Sequence, residues 1–148
     1  MITHASGEKL SARPMVAVGL EQFAGELWFF TSIDSPKVEE IRANPEVLLA
    51  YSEPKDQHYI SIRGHAELVQ DRAKIDQYWN EKVRAWFPDG KDDPRVALVQ
   101  VTVESAEYWD APASSWVYLY GYAKAAITGE PLKDVAENET VRFNQQRA

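Results

Sequence analysis

Short apolar segments with strand character recur along this chain, and most are separated by turns rather than by helices. Each is rich in β-branched or aromatic residues, which fit a pleated, half-buried surface. The segments are Met1–His4, Met15–Leu20, Leu27–Thr31, Val47–Tyr51, Tyr59–Arg63, His65–Val69 and Val96–Val103. Because this order does not repeat a strand–helix–strand unit, it predicts an α+β antiparallel barrel of six to seven strands with two or three helices. A parallel nucleotide-binding sheet is not expected.

Turn residues and breaks in the alternation predict how these segments connect. The turn signal at Ala5–Lys9 predicts a hairpin between Met1–His4 and Met15–Leu20. Gly64 interrupts an alternating run and predicts a β-bulge. The segment Glu107–Asp110 is expected to extend the strand that begins at Val96, past a kink.

Capping residues predict a short helix after the aromatic strand. Ser35 is a favourable N-cap, and Pro36 suits the first helical position. Asn44–Pro45 ends this helix, and Val38 and Ile41 share one face.

A longer helix is predicted from Asp71 to about Trp86, because apolar residues recur there at helical spacing. Trp79 and Trp86 fall on one face, which favours core packing first and a dimer contact second. Trp116–Thr128 shows both strand and helix signals and is predicted to be a helix.

Composition limits the classes of function. A chain of 148 residues suits one domain, residues 1–148, with a polar C-terminal extension from about residue 130. The net charge of −7 and the pI near 5.0 argue against nucleic acid and anionic membranes as partners. There is no Cys, which excludes disulfides and thiolate chemistry. Without an apolar span or a signal-peptide pattern, the cytoplasm is the expected location.

Polar and cationic residues near the short helix suggest an anion site. Thr31 and Ser32 end the aromatic strand, and Ser35 and Lys37 begin the helix. The free N–H groups and the positive dipole end of a helix attract phosphate, to which hydroxyls and cations add hydrogen bonds and charge. Arg13 would join them if its strand pairs nearby. The residues alone leave a plainer interpretation open, in which Ser35 is only a cap and Lys37 is solvated.

The order of several motifs resembles a known family, over roughly residues 1–130. The motifs are Arg-Pro-Met at 13–15, Leu-Trp-Phe-Phe-Thr-Ser at 27–32, Asp-Ser-x-Lys-Val-x-Glu-Ile at 34–41, Asn-Pro at 44–45, Tyr-Ile-Ser-Ile-x-Gly at 59–64 and Tyr-Trp-Asp at 108–110. With these motifs, the chain resembles the general stress proteins of the pyridoxamine 5'-phosphate oxidase-like superfamily.

The resemblance implies a split β-barrel homodimer with flavin mononucleotide (FMN) between the subunits. It places Arg13 near the flavin phosphate and ribityl chain, Thr31 and Ser32 at the phosphate, and Ser35 and Lys37 in a Ser-x-Lys phosphate clamp. Backbone groups around the flavin ring and aromatic side chains beside it complete the implied site. These further residues are Pro14, Met15, Phe30 and Trp109, the last reaching over from the partner subunit.

The sequence departs from the true oxidases of this superfamily at three points. Pro36 replaces the arginine of their Ser-Arg-Lys clamp, and Val18 stands where they have a second strand cation. Their substrate-binding Arg and His pair near the C-terminus has no match. The phosphate site is therefore poorer in charge, the substrate stays unknown, and no catalytic acid or base is assigned.

Two classes of function follow from the resemblance. The first is a flavin-dependent oxidoreductase acting on a small molecule or a reduced nicotinamide, in a stress response. The alternative is a non-catalytic flavin-binding protein for storage, sensing or stress protection. A split barrel that binds F420 or haem is a third and weaker hypothesis.

The remaining polar residues are given structural interpretations. His4, His58 and His65 are expected to be solvated or hydrogen-bonded strand residues, and no metal site is predicted. The acidic pairs Glu39–Glu40 and Asp92–Asp93 are expected to be solvated surface charge.

Overall fold

The computed structural model describes residues 1–7, 9–55 and 58–109, together with the backbone of residues 140–142. The strands are β1 (Ile2–His4), β2 (Leu10–Ala12), β3 (Ala17–Val18), β4 (Glu26–Ser32), β5 (Glu46–Glu53), β6 (His58–Val69), β7 (Val96–Trp109) and β8 (Thr140–Arg142). The helices are a 3₁₀ turn (Leu20–Gln22), α1 (Pro36–Ala43), α2 (Arg72–Tyr78) and α3 (Glu81–Arg84). The helix predicted at 116–128 lies outside the described residues, as does the C-terminal extension apart from β8. No helix in the described ranges is long and apolar enough to cross a bilayer.

All the strands belong to one antiparallel sheet. Seven of them follow the order β2-β1-β5-β6-β7-β4-β3, and β8 pairs with β7. This arrangement confirms the predicted α+β antiparallel fold.

The sheet curls so that its two edges approach each other. β2 and β3 lie at opposite edges, six inter-strand spacings apart in the seven-strand path, which would be about 29 Å in a flat sheet. The chain crosses from Ala12 to Ala17 in five residue steps, at most about 18 Å. Helix α1 also contacts both sides, because Lys37 hydrogen-bonds Thr31 on β4 while Glu40 hydrogen-bonds Thr3 on β1. These contacts agree with a split β-barrel.

The predicted first hairpin is wrong in its second strand. β1 pairs with Leu10–Ala12, not with Met15–Leu20, and a hydrogen bond from Ala5 N to Lys9 O closes the turn at 2.7 Å. The expected partner segment supplies β3, which pairs with β4 at the opposite edge. Pro14 has no N–H to donate to a neighbouring strand, so it suits the segment between the two sheet edges, where the chain is not paired.

The predictions for β6 and β7 are confirmed. The register of β6 against β7 shifts between Arg63 and Gly64, as a β-bulge requires. A Cβ at Gly64 would lie 2.3 Å from the backbone oxygen of Thr102, so only glycine fits this close approach. β7 runs unbroken to Trp109, which confirms the expected extension.

Two hydrophobic clusters lie on opposite faces of β4, whose side chains alternate between them. The barrel cluster contains Leu27 and Phe29, and it includes Ile41 of α1. The second cluster contains Trp28 and the buried residues of α2 and α3. Helix α1 is thus packed against the barrel interior, which fixes its position relative to the strand ends.

The single helix predicted from Asp71 to Trp86 is two short helices. Asp71 caps α2, but Trp79 is extended and the Asn80 side chain caps α3 by accepting from the N–H groups of Lys82 and Val83. This local cap competes with continued helix. Trp86 is 77% exposed, so the expected shared core face is also wrong.

Candidate functional site

Lys37 lies at the start of α1 and connects two elements. Ser35 occupies the N-cap position and Pro36 the first helical position, as predicted. The Lys37 ammonium donates to Thr31 Oγ1 at 3.1 Å and to Ser35 Oγ at 2.6 Å. Thr31 is only 2% exposed and faces the barrel side of β4. The structure therefore brings together Thr31, Ser35 and Lys37 from the predicted anion site.

The Ser35 side chain does not cap the helix, contrary to expectation. Its hydroxyl accepts from Lys37, and no side chain in the described ranges makes a cap hydrogen bond at this helix start. The Ser35 carbonyl accepts from Val38 N at 2.8 Å. Pro36 has no N–H and the Val38 N–H is bound by Ser35, so the Lys37 N–H is the first-turn donor that has no described side-chain cap, at the end of the helix where an anion binds.

Arg13 joins the same region through a triangle of hydrogen bonds. One terminal nitrogen donates to Thr3 Oγ1 and the other to Glu40 Oε2, both at 2.7 Å. Thr3 Oγ1 donates to Glu40 Oε2 at 2.5 Å. The Arg13 and Glu40 side chains are 20% and 16% exposed, and Thr3 is fully buried. Arg13 is thus held by the barrel and by α1.

The charges in this cluster influence one another. Burial lowers the pKa of the Lys37 ammonium, and the Arg13 guanidinium lowers it further, while Glu40 partly offsets both effects. The hydrogen bond from Thr3 lowers the pKa of Glu40, and Arg13 adds to that shift, against the opposing effect of burial. Two cations and one carboxylate therefore share a partly buried space, in which a bound anion would stabilise Lys37.

The other predicted flavin-site residues next to this cluster in the chain are Ser32, expected at the phosphate, and Pro14 and Met15, expected at the flavin ring. Ser32 Oγ accepts from Asp34 N at 3.4 Å, and its carbonyl accepts from Ser35 N at 3.0 Å. Pro14 is exposed, and Met15 is half-buried against the barrel cluster. These two residues follow Arg13 in the segment that crosses between the sheet edges.

Phe30 points away from this cluster. It lies on the face of β4 opposite Thr31, where its ring is 5.6 Å from that of Trp79 and 6.2 Å from that of Phe87. Only its backbone is next to the Thr31 site.

Trp109 lies far from Lys37 along the sheet. Thr31 pairs with Ala97, and Trp109 is twelve residues further along β7, about 40 Å of strand. Trp109 is 41% exposed and pairs with Tyr59, which is 45% exposed. Tyr59 was not singled out from the sequence. It is followed by Ile60 in a strand whose residues alternate between polar and apolar, and this alternation was a signal that the Tyr59 side chain faces outward.

Sequence reasoning also missed Thr3 and Glu40. Glu40 was expected to be solvated, but it is the carboxylate that holds Arg13. Its position three residues after Lys37 was the available signal, because residues at this spacing lie on one side of a helix. Glu39 does match the expectation, since it is 72% exposed and pairs with Arg42.

His4 directly follows Thr3 on β1, while the other two histidines lie on β6 and the second acidic pair precedes β7. His58 is 8% exposed, so it is buried and not solvated, and its Nδ1 has no hydrogen-bond partner among the described residues. His65 Nδ1 lies 2.5 Å from a carboxylate oxygen of Glu104. Asp92 and Asp93 form ion pairs with the two arginines Arg72 and Arg95.

The sequence and the fold of the chain are similar to those of known proteins. The sequence profile of the family described as pyridoxamine 5'-phosphate oxidase like matches residues 1–133. General stress protein 26 of Bacillus subtilis is 34% identical over 84 residues, which cover 55% of this chain and 59% of that protein.

Solved structures agree with this match. A protein assigned as general stress protein 26 from Jannaschia sp. CCS1 has a TM-score of 0.66 at 28% identity, covering 96% of this chain and 88% of that one. The general stress FMN/FAD binding protein of Xanthomonas citri has a TM-score of 0.66 at 32% identity, covering 77% and 80%. The chain belongs to the pyridoxamine 5'-phosphate oxidase-like family, among its general stress proteins.

Proposed function

We propose that this protein binds FMN, with the flavin phosphate at the start of α1. The observation that carries the proposal is the half-buried Lys37 ammonium, held by Thr31 and Ser35 beside an uncapped helix start. Burial disfavours this cation in the absence of an anion, as the lowered pKa shows. Hydroxyls, an ammonium and the Lys37 N–H at a helix start are donors of the kind that a phosphate monoester requires. The residues present therefore fit the cofactor.

Each residue has a defined part in this proposal. Lys37 supplies charge to the phosphate, and Ser35, which accepts from Lys37, has a hydroxyl proton to donate to a phosphate oxygen. Thr31 donates its hydroxyl proton to the Ser32 carbonyl at 3.3 Å, so it would have to turn that proton towards the phosphate. Ser32 extends the hydroxyl set at the end of β4. Arg13 lies at the edge of the site but is bound to Glu40.

We propose a homodimer that places one flavin between two copies of the chain. Trp109 and Tyr59 form an exposed aromatic pair, remote along β7 from the phosphate residues of the same chain. A second copy could bring this pair to the flavin ring, on which aromatic side chains stack. Leu10 is 66% exposed and belongs to the same sheet, so a partner would also cover apolar surface.

We propose that the protein with bound flavin acts as an oxidoreductase. A bound flavin would supply a hydride acceptor for a reduced nicotinamide or a small molecule, and the residues of the site would bind, orient and shield it. The alternative is a non-catalytic flavin-binding protein. One observation favours that alternative: the carboxylate of the cluster, Glu40, already accepts from Thr3 and Arg13, and is not available as a general base.

The absorption spectrum of the purified protein and two titrations test these proposals. We expect flavin bands, and tighter binding of FMN than of riboflavin, which lacks the phosphate. Equal affinities for the two flavins reject the phosphate site, and a haem or F420 spectrum rejects FMN. Light scattering should give about twice the 16.8 kDa chain mass. Steady-state oxidation of NADH or NADPH by the flavin-loaded protein separates the oxidoreductase from the non-catalytic alternative.

A further inference from the structure

We propose that Glu40 is a specificity-determining residue, which weakens the binding of a doubly charged phosphate by sharing Arg13 with it. This inference rests on the proposed function and concerns the same site. In this proposal the carboxylate of Glu40 lies inside an anion site and lowers the affinity of that site for a doubly charged ligand.

The geometry of Arg13 is the first support. Both terminal nitrogens of its guanidinium are engaged, one by Thr3 and one by Glu40, at 2.7 Å each. A phosphate that reaches Arg13 therefore approaches a guanidinium that already has a carboxylate partner. It gains less from Arg13 than from an unpaired cation, because the carboxylate repels it.

The position of Glu40 on α1 is the second support. Glu40 follows Lys37 by three residues, so the two side chains project from the same side of the helix. Glu40 is 16% exposed, and its repulsion of an anion is screened less than that of a solvated carboxylate. The side chains of Lys37, Arg13 and Glu40 together carry one net positive charge, and the Met1 ammonium donates to the Arg13 carbonyl beside them at 2.9 Å.

The test is the substitution Glu40→Gln, which keeps the shape and an acceptor oxygen for Thr3 and Arg13 but removes the charge. We expect FMN to bind about tenfold more tightly, the scale of one partly screened charge. Riboflavin affinity should change less than about twofold. A residue with a merely structural role would not produce this gain in the FMN-to-riboflavin ratio, since damage to the site weakens binding.

The matched control is Glu39→Gln. It removes the same charge from the neighbouring position of the same helix, where the side chain is 72% exposed and faces solvent. We expect FMN affinity in this variant to stay within about twofold of wild type, since solvated charges are screened. Equal gains in the two variants would assign the effect to overall charge and overturn the proposal, as would unchanged or lower FMN affinity in Glu40→Gln.

The double variant Arg13→Gln/Glu40→Gln covers the case in which Glu40→Gln does not fold. It removes both members of the pair, so no partly buried charge is left without a partner. If the pair acts as a nearly neutral unit, FMN affinity should stay within about threefold of wild type. A loss of about tenfold or more would show that Arg13 is a full phosphate ligand and that Glu40 only supports it.

Inorganic phosphate separates this inference from the proposed function. If wild type and all variants bind neither flavin, the proposed function is wrong, and thermal stabilisation by phosphate against chloride at equal ionic strength still tests Glu40. A larger stabilisation of Glu40→Gln than of wild type and Glu39→Gln supports the inference. Equal stabilisation of the three proteins overturns it.

Discussion

Replacing Lys37 by Gln should have opposite effects on the free protein and on FMN binding. In the free protein the ammonium is half-buried, sits at the positive end of α1 and is close to Arg13, and all three circumstances disfavour its charge. The ammonium donates to the hydroxyl oxygens of Thr31 and Ser35, and a glutamine amide can replace part of these hydrogen bonds. We therefore expect the free energy of unfolding of the ligand-free variant to be equal to wild type or slightly higher.

The effect on FMN has the opposite sign. With phosphate bound, Lys37 makes a charge-assisted hydrogen bond, whose loss costs about 1.5–3 kcal/mol. This corresponds to a fall in FMN affinity of roughly tenfold to a hundredfold. Riboflavin lacks the phosphate, so its affinity should barely change. Fluorescence titration of both flavins into wild type, Lys37→Gln and the exposed-site control Lys82→Gln measures this difference.

The pH dependence of the free protein gives an independent check. Because folding lowers the pKa of Lys37, its destabilising effect is full at neutral pH and is relieved as pH rises through the folded pKa towards the ordinary value near 10.5. Wild type should therefore gain stability relative to Lys37→Gln in that interval. Parallel stability curves, together with an unchanged FMN affinity in the variant, would refute the assignment of Lys37 to the phosphate site.

Three further predictions concern the fold. Gly64→Ala should destabilise the protein by about 1–3 kcal/mol, because the new methyl group meets the Thr102 carbonyl; an unchanged urea midpoint would show that the strands separate there at no cost. Asp71→Ala should cost about 1 kcal/mol in the same assay through loss of the α2 cap, and no loss would mean that packing alone holds the helix. Burial raises the pKa of Tyr51 to about 12, so its contribution to stability is present below pH 10 and lost as pH approaches 12; a difference in tyrosinate absorbance between wild type and Tyr51→Phe that titrates at pH 10 before unfolding would contradict this.

Local signals predicted most of the strands, the bulge and the start of α1. The alternation around Gly64 and the Ser-Pro pair at 35–36 act within a few residues, so their outcome can be read from the sequence. The first hairpin could not be predicted in this way. Its second strand, Leu10–Ala12, is short and largely exposed, and the more apolar Met15–Leu20 was a stronger local candidate.

The same distinction applies to the candidate site. Thr31, Ser35 and Lys37 lie within seven residues, and their association was predicted. Glu40 receives its partners Arg13 and Thr3 from 27 and 37 residues away, so its role depends on how the sheet curls. No pattern near Glu40 specifies that closure.

The short crossing between the two edges of the sheet has a kinetic consequence. Pairing of β4 with β7 joins distant parts of the chain, from Glu26 with Thr102 to Ser32 with Val96. Such non-local contacts form slowly, because loop-closure entropy is lost before they stabilise the chain. The complete site needs Thr3 and Arg13 on one side of α1 and Thr31 of β4 on the other, so we expect it to form only after these non-local pairings. A ligand bound there would therefore lower the rate of unfolding more than it raises the rate of folding.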